Sequence, residues 1–456
     1  MIHCLLLQMD QRGRHGNRPN KTSDEDIEFV RNHINSFPTQ TSHYSRRHNP
    51  NLKYLSSDLN IAIMYRLYRE KCLSENITAV NMFVYRSNFH KYFSLSFKKP
   101  KSDTCKSCDS LNIKILAEVD PVKKQSLTNE LTLHKKKAKS AYDNLQSDTQ
   151  VAKKDNDIHV ITIDLQQCLP TPHLTVGVTF YKRQLWTFNF GVHNVASDDA
   201  YMYMWSEDVA GRGADDIISC INQYIQHNVL NNVKHLIVYS DSCFAQNKNI
   251  NLISYWSYLV QSGIFETIEQ KFLASGHTYL PCDRDFGLIE KKKRGVSHIF
   301  VPDEWIDLVK KARVKKPFKV TKMSSDMFVS TEPLLAKTTK RTVSTNNKKV
   351  LVSKVACLMV KKDESFKYFF KYTYNDIEEY DSVDIKKKTA GRLSLKDIEL
   401  PKKYTTKRQI KPAKLKDVFE LLDYVPPVYH QFYRSLTQDS ENITNETIID
   451  EEFDYD

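Results

Sequence analysis

A chain of 456 residues has room for about two or three domains of ~100–200 residues each, and so for a full-sized enzyme core. Its 40% hydrophobic content, with 24 Tyr and 22 Phe against 11 Gly, excludes a low-complexity or fibrous chain, and 67 Lys+Arg against 55 Asp+Glu suit a polyanionic partner. The opening run of three Leu is far short of a secretory core and no stretch reaches the ~18 apolar residues of a membrane span, while nine scattered cysteines read as reduced thiols, a few of them on a metal, in a soluble intracellular protein.

Residues 1–24 are basic and polar with Gly and Pro and read as a flexible arm. A helical region follows over 25–98. Within it Leu59, Ile63 and Leu67 recur at i+4 in a helix over 57–72, with Ser57 placed to cap it. A second helical stretch over 78–95 carries Tyr85, Phe89, Tyr92 and Phe93, and a helical brace is preferred to a DNA-reading module for this pair. Residues 99–155 read as a C-x2-C segment and helical connector.

From Asn156 the pattern changes to that of an α/β core over 156–309. DIHVITID is a nearly continuous apolar strand, and HLTVGVTFYKRQLWTFNFGV reads as two strands of a hairpin turning at 181–183. A helix over 215–226, a buried strand over 235–241, a helix over 250–261 stopped by Gly263, a strand over 267–273 and a helix over 282–293 complete the order β-β-β-α-β-α-β-α. Apolar strands alternating with helices belong in a sheet covered on both faces. Residues 310–349, rich in Lys, Ser and Thr, read as a basic linker, 350–440 as a small β/helical module, and 441–456 as an acidic disordered tail.

Two apolar strands of this core end in a carboxylate, at Asp164 and Asp241. Carboxyl ends of neighbouring strands face the crevice where open α/β sheets bind ligands, so the two acids can converge. A third acid lies in PCDRDFGLIEKKK, where Asp283, Gly287 and Glu290 share one helix face and Asp285 points roughly the opposite way. Asp283 and Glu290 stand ~10 Å apart along a helix axis, too far to serve one metal pair together. A helix returning from the strand ends starts at the active edge, which favours Asp283 and leaves Glu290 in reserve. Such a triad suits two Mg2+ or Mn2+ ions, which offset charge on both the attacking and the leaving oxygen of a phosphodiester. His277 is placed to orient a water or protonate the leaving oxygen, or merely to make a turn. Gln246, Asn247 and Lys248, just past the second acid, are candidates for phosphate contact, with helix capping as the plainer role of the first two.

Cys105-x2-Cys108 supplies half of a tetrahedral Zn2+ site, with Cys72, His90 and His134 as candidate partners, and an unligated pair is the alternative. A metal there is expected to be structural and to leave the acidic site untouched. Gly211-Arg212-Gly213 reads as a turn, and Trp205 as a core residue.

The order strand-Asp, strand-Asp, helix-acid resembles the RNase H-like superfamily, and YSDSCFAQNKN, SGHTYLPCDRDFGLIEK and VPPVYHQFY resemble an uncharacterised group of animal transposon-derived proteins, over about 25–440. The resemblance implies an RNase H-like mixed sheet flanked by helices and a DDE/D-type nuclease or strand transferase of the transposase and integrase kind. It assigns Asp164, Asp241 and Asp283 to the acidic positions, DNA as the partner and the nucleus as the place of action. RNA as substrate and a homo-oligomer stay open. The abrupt entry of MIHCLLLQMDQRGRHGNRPN into the similarity suggests a missing N-terminal portion. A domesticated, non-cutting DNA-binding protein and a ribonuclease of the same fold are the alternatives.

Overall fold

The computed structural model describes residues 22–437 apart from 38, 40–52, 56–58, 98–104, 177–178, 180–181, 244–245, 275, 278, 376 and 389–393. The acidic tail and nearly all of the basic arm lie outside the described residues. The chain divides into two compact units, Met1–Ala117 and Glu118–Asp456.

The first unit is helical. It begins with α1 (Asp24–Asn35), capped by the Ser23 side chain and carrying three acids in its first turn, where they complement the helix dipole. The expected second helix is α2 (Ile61–Ser74), capped by Asn60 rather than Ser57, and α3 (Met82–Tyr92) is capped by Asn81. Val30, Ile34, Met64, Tyr68, Cys72, Tyr85 and Phe89 form their common core, with β1 (Lys53–Tyr54) and β2 (Leu95–Ser96) pairing beside it. The last element is α4 (Lys106–Ala117), whose first turn carries Cys108, buried like the preceding Cys105.

The second unit opens with α5 (Pro121–Ala152), capped by Asp120. It is no mere connector: Ala141, Leu145 and Ala152 share a buried cluster with Val160, Tyr239 and Leu280 of the core. The strands β3 (Ile158–Leu165), β6 (Leu185–Asn194) and β7 (Asp199–Ser206) then form an antiparallel meander, with β4 (Leu169–Thr171) and β5 (His173–Leu174) between its first two members. Next come α6 (Ala214–Asn228), β8 (His235–Ser240), α7 (Ile250–Gln261), β9 (Thr267–Phe272) and α8 (Pro281–Lys293). The main-strand order is the expected β-β-β-α-β-α-β-α, but its second and third strands differ from expectation. The segment after His173 does not pair with β6; β4 does, while β5 pairs with β10 (His298–Ile299), and the third strand is the DAYMYMWS segment.

β3 is parallel to β8, and β8 to β9. The sheet extends past both ends of this core, in the order β11-β7-β6-β3-β8-β9-β12-β13-β14. β11 (Lys319–Lys322) joins β7 in parallel, and β12 (Cys357–Lys361), β13 (Lys367–Lys371) and β14 (Asp381–Asp384) continue antiparallel from β9. The proposed linker and separate module over 310–440 are therefore corrected. Phe318, Met323, Phe328 and Leu334 of the Lys-rich segment are buried in the same clusters as the core strands, α9 (Pro302–Lys310) packs Trp305 and Val309 beneath β7, and α10 (Glu332–Leu335) follows β11. The 418–436 stretch falls into α11 (Pro412–Glu420) and the short α12 (His430–Arg434), interrupted by Pro426 and Pro427.

Alternation along the strands assigns the two faces. Ile161 and Ile163 of β3 cluster with Ile217 and Ile221 of α6 and Trp256 of α7. Val160 faces α5, and Met202 and Met204 of β7 pack on Phe286 and Ile289 of α8. Gly191 of β6 permits this close approach, since a Cβ there would lie 2.8 Å from the Phe286 ring. Among the described residues no helix is long and apolar enough to cross a membrane.

Candidate active site

On β3 the residues sharing a face with Asp164 are Thr162 and Val160; on β8 those sharing a face with Asp241 are Tyr239 and Ile237. Val160, Tyr239 and Ile237 all belong to the cluster beneath α5, so the strand pattern directs Asp164 and Asp241 to the same side of the sheet. The parallel ladder ends at Thr162 paired with Tyr239, two residues before Asp164 and Asp241, so both acids lie at the carboxyl ends of neighbouring strands. Both are partly buried.

The third acid is brought in by α8. Cys282 packs its thiol on β3, 3.2 Å from Thr162 Oγ1, and so seats the first turn of α8 over the strand that carries Asp164. Asp283 follows at the third helical position, where its Oδ2 accepts from the Leu280 amide at 2.7 Å. The three charges feel one another. Burial pushes the Asp164 carboxyl well above the usual carboxylate range, and the like charges of Asp241 and then Asp283 push it further, opposed by the Leu165 amide. The neighbouring hydrogen bonds orient the acids: Leu165 N donates to Asp164 Oδ1 at 2.8 Å, Cys243 N to Asp241 Oδ1 at 3.0 Å, and Asn247 Nδ2 to the same oxygen.

Other expected residues take different parts. Glu290 accepts from Gln166 Nε2 at 3.0 Å and pairs with Lys293 at 3.4 Å, while Gln166 in turn accepts from the buried Asn189 at 2.8 Å. It therefore braces the strand exit beyond Asp164, consistent with its reserve rank. Lys248 is not placed for phosphate contact: it is buried, donates to Val355 O at 2.8 Å, and burial lowers it to about 8. Asn247 is buried too and serves Asp241, whereas Gln246 is partly exposed. Trp205 is a core residue, and Gly211–Gly213 turns into the start of α6.

His134 and His277 are the second unit's members of the one group of Cys, His, Asp and Glu side chains among the described residues whose ligand atoms all lie within 4.8 Å of one another; Asp164, Asp241 and Asp283 do not form such a group. Cys72 and His90 are outside that group: Cys72 is buried in the helical core of the first unit, and His90 is exposed and meets the Phe89 ring. Imidazoles are donors that suit structural zinc and suit Mg2+ poorly. In the second unit His134 Nε2 and His277 Nε2 face each other at 3.0 Å, and burial, reinforced by Lys137 and Lys135, lowers the His134 imidazole, favouring the neutral form that ligates.

Sequence reasoning missed Tyr142, whose hydroxyl donates to His277 O and accepts from Tyr279 N at 2.7 Å. It also missed the pair Asp285–His193, buried at 2.6 Å. A Tyr on an amphipathic helix carries no such signal, but the second acid of DRDF was visible.

The crowded carboxylates have a measurable consequence. Because the folded state binds the Asp164 proton more tightly than the unfolded chain does, ionisation above the unfolded value near ~4 costs stability, progressively until the folded carboxyl has itself titrated. In metal-free protein Asp164→Asn is therefore expected to raise Tm at pH 7 by roughly 2 °C, equivalent to ~1 kcal/mol, with the advantage shrinking toward pH 4. Differential scanning calorimetry of both chains from pH 4 to 8 decides it, and an advantage that grows on acidification would refute the charge crowding.

A family described as "Domain of unknown function (DUF7869)" matches residues 182–367, a span that includes Asp241 and Asp283 but not Asp164. No curated protein matches the chain.

Proposed function

We propose that the unit Glu118–Asp456 is a divalent-metal-dependent nuclease or strand transferase on DNA, akin to the RNase H-like transposases that the sequence resembles. The feature behind this reading is the set Asp164, Asp241 and Asp283, carried by two parallel strands and a helix, with the Asp164 carboxyl raised first by burial and then by the charges of Asp241 and Asp283. Their ligand atoms do not all lie within 4.8 Å of one another, so a bound cation would have to draw them together. Three hard oxygen donors with mutual repulsion fit a divalent cation, whose charge would relieve it. Bound Mg2+ or Mn2+ would supply charge stabilisation to both oxygens of the displaced phosphodiester. The chain's own part is to hold the carboxylates ready: backbone amides of Leu165, Cys243 and Leu280 each fix one, and the Asn247 amide turns Asp241. We further propose that His134 and His277 are ligands of a structural zinc, and that the protein acts in the nucleus.

Cleavage or joining of labelled duplex DNA by the full chain with Mg2+ or Mn2+, against an EDTA control, tests the function. Cleavage of RNA or hybrid duplex alone would move it to the ribonuclease class, and DNA binding without cleavage to a non-cutting role. The binding itself is expected to be electrostatic. With 67 Lys+Arg in the chain and a duplex backbone contacted at about six phosphates, log K should fall with log salt at a slope near −5, from ~0.9 per phosphate. Fluorescence anisotropy between 50 and 200 mM salt, roughly, reads it; a slope close to zero would mean that the basic excess does not track a backbone.

A further inference from the structure

We infer that the ion held by His134 and His277 sets the position of Asp283, so that loading of this site governs how tightly the acidic site takes its own divalent cation. The inference rests on the acidic triad being a Mg2+ or Mn2+ site, as proposed above.

The path is short and pinned. Gly276 adopts φ +74, a left-handed conformation that suits glycine, and so turns the chain into His277. His277 presents Nε2 to His134 Nε2 at 3.0 Å while its carbonyl accepts from Tyr142. Two residues on, the Tyr279 amide donates to the same Tyr142 hydroxyl, and Leu280 is buried against Ala141 and Leu145. The Leu280 amide then meets the Asp283 carboxylate. His134 and Tyr142, ~12 Å apart along α5 at ~1.5 Å per residue, thus grip His277 and Tyr279, and Asp283 answers to where Leu280 sits.

Two imidazole nitrogens so close either share a proton or share an ion. Ligands ~2.0–2.1 Å from a tetrahedral zinc lie ~3.4 Å apart, within a few tenths of an ångström of the spacing seen. Without the ion one Nε2 must donate to the other, whichever imidazole carries the proton. Outer contacts of this kind commonly change metal affinity by about 10–100-fold.

The test uses the full chain and Mn2+ alone as probe, followed by electron paramagnetic resonance without DNA. The purified protein is expected to carry one equivalent of zinc, and Mn2+ binding should be lost in Asp241→Asn, which places the probe at the triad. Stripping the zinc, or the substitution His277→Asn, should weaken Mn2+ about tenfold, and zinc added back should restore the stripped parent but not the variant. Tyr142→Phe should keep its zinc yet weaken Mn2+ severalfold, a readout that does not depend on His277→Asn folding. Mn2+ affinity unchanged within about twofold after zinc removal, or protein purified without zinc that binds Mn2+ normally, overturns the inference and leaves the nuclease reading standing. Mn2+ that fails to bind the zinc-loaded parent, or binds equally well to Asp241→Asn, removes both.

Discussion

Asp164→Asn and Asp241→Asn are each expected to lower divalent-dependent DNA cleavage by at least about 10^2–10^3-fold while DNA affinity stays within about twofold. The magnitude is that of losing one preorganised electrostatic contact to the transition state, ~3–4 kcal/mol. An amide has nearly the shape of the carboxylate and keeps one oxygen to accept the Leu165 or Cys243 amide, so the loop should persist. What it lacks is the charge that attracts a divalent cation. Binding of a phosphate backbone through basic side chains does not depend on the lost carboxylate and should stay intact. Glu290→Gln is the internal contrast. Its carboxylate is engaged with Gln166 and Lys293, so the expected loss is under about tenfold, as for a group that braces rather than ligates. Initial rates of strand cleavage at saturating Mn2+, paired with anisotropy on the same duplex, separate the two effects. Equal losses in all three variants, or full activity in Asp241→Asn, would remove the triad from the chemistry.

That Asp164 and Asp241 lie at the carboxyl ends of parallel neighbouring strands was legible because each ends an apolar run, and strands buried on both faces announce themselves as short continuous hydrophobic runs. The same property hid β7. In DAYMYMWS the residues Ala200, Met202 and Met204 face α8 and α9 while Tyr201, Tyr203 and Trp205 face α6, so no polar alternation marks it as a strand. The Lys-rich stretch after α9 misled in the opposite sense. Its lysines stay largely in solvent, and a few widely spaced anchors, Phe318, Met323 and Phe328, suffice to lay it on the sheet. His134 and His277 are 143 residues apart, and no spacing rule connects them; only the docking of α5 does. The half-motif Cys105-x2-Cys108 indicated a metal and offered His134 among its candidate partners but not His277, because ligand partners from distant segments are a tertiary property.

Asp285→Ala is expected to destabilise the second unit by ~3–5 kcal/mol, the cost of removing one partner from a buried charge cluster, and a large part of the ~5–15 kcal/mol that folded domains possess. Asp285 lies on α8 with its carboxylate enclosed; Oδ2 meets His193 Nδ1 of β6 at 2.6 Å, and Oδ1 is 3.8 Å from Arg313 Nη1. The other side of His193 meets Asp198 at 3.3 Å, and Asp198 also engages Arg284 and Arg313. The cluster thus fastens α8, β6, the β6–β7 turn and the chain after α9 at one point. Truncating Asp285 leaves a buried imidazole and a nearly buried guanidinium without their shared acceptor, and neither can reach bulk water without moving α8. Asp285→Asn keeps a hydrogen-bonding oxygen for His193 and should cost less than half as much. Because Asp283 sits on the same turn, whatever α8 relaxation follows Asp285→Ala should also weaken Mn2+ at the triad, whereas Asp285→Asn should spare it. Urea denaturation followed by tryptophan fluorescence gives the stabilities, and an Asp285→Ala chain within about 1 kcal/mol of the parent would show that α8 is held by its apolar contacts alone, through Phe286, Ile289 and the close approach at Gly191.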